Sequence, residues 1–199
     1  MIVLDLLQGS PEWEKEKIGK FSASNCSKLI TNDGKPSKQR DGYLYELASE
    51  IITGKKAEGY KNGFMEEGNA REQEAVDFFS MINNVDIERP GVVYQNEEKR
   101  FLCSPDGIIG GKEGFECKNP LPKTQVKYLL DGGVPSDYFG QVQFSLFVTG
   151  FKKWHFFSYV PLMKPLHIEV KPDAKFLAAL EAEIKKAIEE LDSIVQKIK

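Results

Sequence analysis

The stretch from Phe101 to Asn119, F-L-C-S-P-D-G-I-I-G-G-K-E-G-F-E-C-K-N, constrains the fold more than any other. Phe101–Cys103, continued by Gly107–Ile109, and Phe115–Lys118 are β-type runs, and Gly110-Gly111 lies between them. That is the pattern of a hairpin with a somewhat long loop. Asp106 follows Pro105 in the first limb, while Glu116 and Lys118 sit two apart in the second. Residues i and i+2 of a strand share a face, so pairing of the limbs would gather two carboxylates and an ammonium. Carboxylate oxygens suit hard divalent cations, and magnesium commonly uses one or two of them together with substrate phosphate. A neighbouring lysine can orient or deprotonate an attacking water and offset phosphate charge. On this segment alone, an Asp-Gly turn followed by a solvated Glu/Lys strand face fits as well.

Composition bounds the remaining choices. A length of 199 residues suits one domain with a real core, and 29% charged with 41% hydrophobic residues describes an ordinary soluble protein. No apolar window of about 18 residues exists, so no membrane-spanning helix is expected. The first ten residues lack the basic region and apolar length of a signal peptide. Cys26, Cys103 and Cys117 are odd in number and show no C-x-x-C spacing, which argues against a disulfide framework or zinc site and for a reducing cytosol. A net charge of −3 disfavours a surface that coats nucleic acid, but not a channel with local positive potential.

Along the chain, Ser10-Pro11 opens a short helix that Gly19 stops, and Ser22 or Ser24 caps another ending near Ile30. Arg40–Gly54 reads as a helix. In Met65–Ile82, Met65, Val76 and Phe79 form one helical stripe with Glu72 in its middle. A carboxylate on an apolar face needs a partner or a metal. Val85–Lys118 is β-rich, Lys123–Leu130 helical, and Ser136 caps a helix apolar nearly all round, interrupted by Gln141 and Gln143. Lys153–Val160 and Leu166–Val170 read as strands with His155 and His167 as strand-face residues rather than ligands. Asp173 caps a long C-terminal helix over 173–199 whose Leu177, Leu180, Ile184, Ile188 and Leu191 stripe packs on its own domain. The expected class is α/β (α+β): a central mixed sheet flanked by helices.

Four blocks in order carry a family resemblance: Q-G-S-P-E-W…I-G-K-F-S-A-S, M-E-E-G-N-A-R-E-Q-E-A, S-P-D-G…F-E-C-K and Y-F-G-Q-V-Q-F-S-L-F-V-T-G. With them the chain resembles the lambda-exonuclease or YqaJ-like recombinase family, a viral branch of the PD-(D/E)xK nucleases. The resemblance implies a restriction-endonuclease-like core over about 63–160 within a single nuclease domain. It implies Asp106, Glu116 and the backbone carbonyl of Cys117 as metal ligands, Lys118 as the group that orients or activates water, and Glu72 as a supporting or ligating carboxylate. It places Lys17, Ser22, Ser24 and Trp13 at a 5′-phosphate end, with Lys17 where arginine is usual. Gln141 and Gln143 match a Q-x-Q motif that steadies the lysine or approaches DNA.

By the same resemblance the activity is 5′→3′ degradation of one strand of linear duplex DNA with one or two Mg2+ ions, or Mn2+. It further implies a homotrimeric ring, a single-strand annealing partner, no membrane, and the cytoplasm of a phage- or prophage-bearing host. An internally cutting PD-(D/E)xK endonuclease or a Cas4- or RecB-like repair nuclease shares the core. The iron–sulfur forms of the latter need four suitably placed cysteines, and this chain has three.

Overall fold

The computed structural model describes residues 1–57 and 63–199, the side chains of 63–70 excepted. In chain order the elements are β1 (Ile2–Leu4), α1 (Pro11–Glu16), β2 (Phe21–Ser22), a 3-10 turn (Ala23–Asn25), α2 (Cys26–Leu29), α3 (Arg40–Thr53) and α4 (Gly63–Asn83). There follow β3 (Ile87–Glu88), β4 (Val92–Tyr94), β5 (Phe101–Cys103), β6 (Gly107–Ile109), β7 (Glu113–Lys118), α5 (Pro122–Asp131), α6 (Ser136–Thr149), β8 (Trp154–Ser158), β9 (Leu166–Val170) and α7 (Ala174–Ile198). Among the described residues no helix is long and apolar enough to cross a membrane.

The expected mixed sheet is present as two. One runs β1-β4-β5-β2 and the other β3-β6-β7-β8-β9, with β2–β5 and β7–β8 parallel and the other pairs antiparallel. This corrects the hairpin reading. Only β6 pairs with β7, through Gly107↔Phe115, Ile108↔Gly114 and Ile109↔Glu113, whereas β5 belongs to the other sheet. Ser104-Pro105-Asp106 is where the chain changes sheets, and Pro105, with no N–H to give a ladder, suits that break. The β6–β7 turn has φ of +55° at Gly110 and +67° at Gly111, and Lys112 N–H donates to the Ile109 carbonyl at 3.2 Å. Two central residues at positive φ are what a tight hairpin turn of matching twist demands.

Helices cover both faces of the five-stranded sheet. Phe115 and Cys117 of β7, with Phe157 and Tyr159, meet Ala75, Val76 and Phe79 of α4. The alternate residues Glu116 and Lys118 therefore project toward α6. There Val142, Phe144, Leu146 and Val148 join Phe156, the α3 residues Tyr43, Leu44 and Leu47, and the α7 residues Leu180, Ile184 and Leu191 in the main core. The α7 stripe thus packs within the chain. Gly114 lets Trp154 lie across β7, since a Cβ there would come within 2.2 Å of the indole.

Caps follow the sequence signals in part. Ser10 Oγ accepts from Trp13 N–H at 3.2 Å, and Asp173 Oδ1 from Phe176 N–H at 2.9 Å. Ser22 makes no cap to the turn that follows it, and Ser136 is the first residue of α6 rather than its cap, which is Pro135. Instead, the Ser136 carbonyl accepts from Asn32 Nδ2 at 2.8 Å and ties the 31–37 loop to α6. His155 and His167 lie on a strand face as expected, with His155 Nδ1 2.9 Å from His167 Nε2 and His155 Nε2 2.8 Å from Glu113 Oε2.

Candidate active site

The sheet change at Ser104-Pro105-Asp106 and the end of β7 bring the carboxylates together. Asp106 is buried, and its Oδ2 accepts from Cys117 N–H at 2.7 Å. That bond fixes the aspartate against β7 beside Glu116. Glu116 is 2% exposed, and its Oε1 accepts from both Lys118 Nζ and Gln141 Nε2, the latter at 2.6 Å. Lys118 Nζ also lies 5.2 Å from the centroid of Tyr138 on α6, within cation–π reach. Glu72, half-buried on α4, pairs with Arg89, whose Nη1 donates to Gln73 Oε1 at 2.7 Å.

The electrostatics are those of an anionic cluster withdrawn from water. Burial, then the charges of Asp106 and Glu72, push the Glu116 carboxyl up to about 7 against the pull of Lys118. Asp106 is raised chiefly by burial, opposed by Lys118, the Cys117 N–H and Arg89. Glu72 is raised by burial and by Asp106, with Arg89 opposing. Burial works to lower Lys118, but Glu116 and Asp106 outweigh it, so the lysine holds its proton more firmly than usual. A charged Lys118 is a donor that orients a water or phosphate oxygen.

A cation would find only hard oxygen donors here. Among the described residues no three His, Cys, Asp or Glu side chains close on one point. A magnesium ion would therefore take Asp106, Glu116, a backbone carbonyl and waters, a set within its ordinary habits. As placed, Glu72 is engaged by Arg89.

Beside the carboxylates lies a cavity of about 130 Å³ lined by Trp13, Lys17, Ser22, Ser24, Ser104 and Gln141 among others. Trp13 Nε1 donates to the Gly91 carbonyl at 2.9 Å and to Ser104 Oγ at 3.1 Å, which locks the indole edge. Lys17 Nζ stands 3.5 Å over the indole face. Burial draws the Lys17 ammonium down to about 8, with Glu14 and Glu50 opposing and Lys56 reinforcing. Ser22 and Ser24 face one another, with their hydroxyl oxygens 3.3 Å apart. Cavity and carboxylates share Gln141. A larger cleft, about 580 Å³, begins beyond Ser24 and Gln141 and runs past Thr31, Asn32, Ser37 and Ser136.

Gln143 does not join them. It is buried, donating to the Lys171 carbonyl at 3.0 Å and accepting from Asp173 N–H at 2.8 Å, so it anchors the start of α7. Two positions apart on a helix, Gln141 and Gln143 cannot share a face. Met65 lies in α4, and its side chain falls outside the described ones.

Three participants were not singled out from sequence. Arg89 neutralises Glu72, and Gln8 Nε2 donates to the Pro90 and Pro105 carbonyls, each at 3.0 Å, pinning the segment before Asp106. Glu50, wholly buried, accepts from Gly19 N–H at 2.7 Å and Ala57 N–H at 3.0 Å and pairs with Lys56. It holds the turn that carries Lys17. Its signal was available, because Glu50 falls three residues after Leu47 on the apolar side of α3, as Glu72 does on α4.

Residues 12–152 match the YqaJ-like viral recombinase domain, a span that holds all of these carboxylates, Lys17 and Lys118. The chain belongs to that family. An uncharacterised protein of Acanthamoeba polyphaga mimivirus is 30% identical over 155 residues, covering 71% of this chain and 27% of the mimiviral protein. The chain thus spans about a quarter of that relative. In structure, this YqaJ-like chain superposes on an alkaline exonuclease of Laribacter hongkongensis with a TM-score of 0.85 at 23% identity, covering 95% of this chain and 96% of the other. The same exonuclease in complex with dAMP gives 0.85 over 96% of each chain. A phage-related exonuclease of Haemophilus somnus gives 0.68 at 12% identity, over 90% and 96%. The fold is the α/β fold of the Laribacter alkaline exonuclease.

Proposed function

We propose that the protein is a metal-dependent DNA exonuclease that degrades one strand of linear duplex DNA in the 5′→3′ direction. The observation that carries this reading is the meeting of Asp106, Glu116 and Lys118 at the C-terminal end of the central strand β7, with a small lysine–serine cavity beside them. Asp106, Glu116 and the Cys117 carbonyl hold one or two magnesium ions, or manganese in their place. Such an ion supplies Lewis-acid polarisation of the phosphate and a more acidic water. Lys118, kept charged by Glu116 and Asp106, holds the attacking water in line and offsets the charge that builds on phosphorus oxygens. Gln141 keeps Glu116 in place through its 2.6 Å hydrogen bond.

The 5′-phosphate end sits on Lys17, Ser22 and Ser24 against Trp13, and the larger cleft gives the strand a path. Lys17 offers a point charge where an arginine would give a two-pronged grip. That dAMP binds the Laribacter exonuclease supports a mononucleotide product. We further propose a trimeric ring, whose positive lumen would reconcile DNA binding with the net charge of −3. The 3′ tails it leaves would be passed to a single-strand annealing protein in the cytoplasm of a phage or prophage host.

The test is an end-label assay on linear duplexes marked at the 5′ or 3′ terminus, with a closed circle alongside, in magnesium. Early release of the 5′ label from linear DNA, with the circle intact, is the expected result. Cutting of the circle moves the protein to the endonuclease class, and early release of the 3′ label reverses the polarity.

A further inference from the structure

Each carboxylate of the site has its own donor: Cys117 N–H for Asp106, Lys118 for Glu116, and an arginine for Glu72. Arg89 spreads its guanidinium over two neighbours on α4. Nη2 donates to Glu72 Oε1, and Nη1 donates to Gln73 Oε1 at 2.7 Å. Gln73 is itself oriented, since its Nε2 donates to Asp77 Oδ1 at 2.7 Å. A charge-assisted, two-pronged grip of this kind is stronger than a single neutral hydrogen bond.

The backbone beneath Arg89 is fixed from both sides. Glu88 pairs with Ile108 of β6, the strand that follows Asp106. Beyond Arg89, the Pro90 carbonyl accepts from Gln8 Nε2 at 3.0 Å, and the Gly91 carbonyl from Trp13 Nε1 at 2.9 Å. The same Gln8 amide reaches the Pro105 carbonyl at 3.0 Å, so Arg89 is tied to the bend that carries Asp106. Support of this kind holds a functional side chain in place. The guanidinium charge reaches both carboxylates. Burial and then Asp106 raise Glu72, burial raises Asp106, and Arg89 opposes in each case.

That arrangement bears on how many cations the site takes. With all groups ionised, three carboxylates face Lys118 and Arg89, which leaves one net negative charge. One divalent ion reverses that to a single positive charge, the match for one phosphodiester. A second ion would add two more and would need Glu72, which Arg89 already grips. At a reacting phosphate an arginine can supply charge that a metal ion otherwise brings.

We infer that Arg89 takes the place of a second divalent cation, so that the site holds a single ion on Asp106 and Glu116. The inference rests on the reading of those two carboxylates as metal ligands. Its test counts bound Mn2+ by electron paramagnetic resonance in the full chain without DNA. The proteins are the wild type, Arg89→Gln, Arg89→Lys, and Arg89→Gln combined with Glu72→Gln, each checked for folding by circular dichroism. The Arg89 side chain is 37% exposed, so its replacement leaves the core untouched. Wild type should bind one ion. In Arg89→Gln a second ion should bind about tenfold more tightly than any second ion in wild type, and adding Glu72→Gln should abolish the gain. Arg89→Lys, which keeps the charge and loses the fork, should fall between wild type and Arg89→Gln.

Two tightly bound ions in wild type, or one in folded Arg89→Gln, overturn the inference. So does a second ion that survives Glu72→Gln, because it then sits elsewhere. None of these touches the nuclease reading, which is scored separately by cleavage of linear duplex DNA. One bound ion with no cleavage by wild type removes the nuclease reading and leaves the count standing. No bound ion at all removes both.

Discussion

Freed of divalent cations, this protein should lose stability as pH rises from 5 to 8, opposite to what salt-bridged carboxylates produce. Glu116 is the cause. Burial, with Asp106 and Glu72 adding to it, raises its carboxyl from 4.5 to about 7. A carboxyl raised on folding binds its proton more tightly in the native state, so its contribution is complete below 4.5 and is lost as pH climbs through about 7. At about 1.36 kcal/mol per pH unit, that gap is worth roughly 3 kcal/mol. Asp106 and Glu72 are displaced in the same direction and add to the fall. His167, held below its ordinary value by burial and by His155, works against it near pH 6. For a chain of this length the Glu116 contribution alone is about 6–12 °C in Tm. Thermal unfolding in EDTA at pH 5, 6, 7 and 8 measures it directly. Millimolar magnesium should shrink the fall, since a cation bound only by the folded state stabilises it. Glu116→Gln should remove most of it. A melting temperature that stays level or rises over this range in EDTA, or an undiminished slope in Glu116→Gln, would refute the electrostatic account.

Two further outcomes follow from the same geometry. Because burial holds Lys17 near pH 8, the preference for a 5′-phosphate over a 5′-hydroxyl end should weaken above that pH. In Lys17→Arg it should persist to higher pH, as the ratio of initial rates on the two ends between pH 7 and 9 would show. Gln143→Ala should lower stability by about 1–3 kcal/mol through two lost hydrogen bonds to the start of α7, with the rate per folded molecule unchanged. A specific loss of rate would return Gln143 to the site.

The parts of the site that follow from local pattern were legible in the sequence. Alternation along β7 puts Glu116 and Lys118 on one face, and Pro105 and the glycines mark the bends around Asp106. The 3.6-residue period of α4 makes Glu72 conspicuous as a carboxylate among apolar residues. What the pattern could not give was partnership across the chain. The S-P-D bend reads equally well as a bulge within one hairpin limb or as a change of sheet, and only the pairing of β5 with β4 and β2 decides it. Q-x-Q reads as one motif, yet helical geometry sends Gln141 to Glu116 and Gln143 to Lys171 and Asp173. Arg89 and Gln8 act through partners many residues away, and no local signal announces such contacts.

The most direct test of the central claim is magnesium-dependent nucleotide release from a 5′-phosphorylated linear duplex by wild type, Asp106→Ala and Lys118→Ala, each checked for folding by circular dichroism. Both variants should fold and lose activity by on the order of 1000-fold, as expected when a metal-holding carboxylate or a charged donor at the reacting phosphate is removed. A folded variant that releases nucleotides at the wild-type rate would place the chemistry outside the Asp106–Glu116–Lys118 cluster.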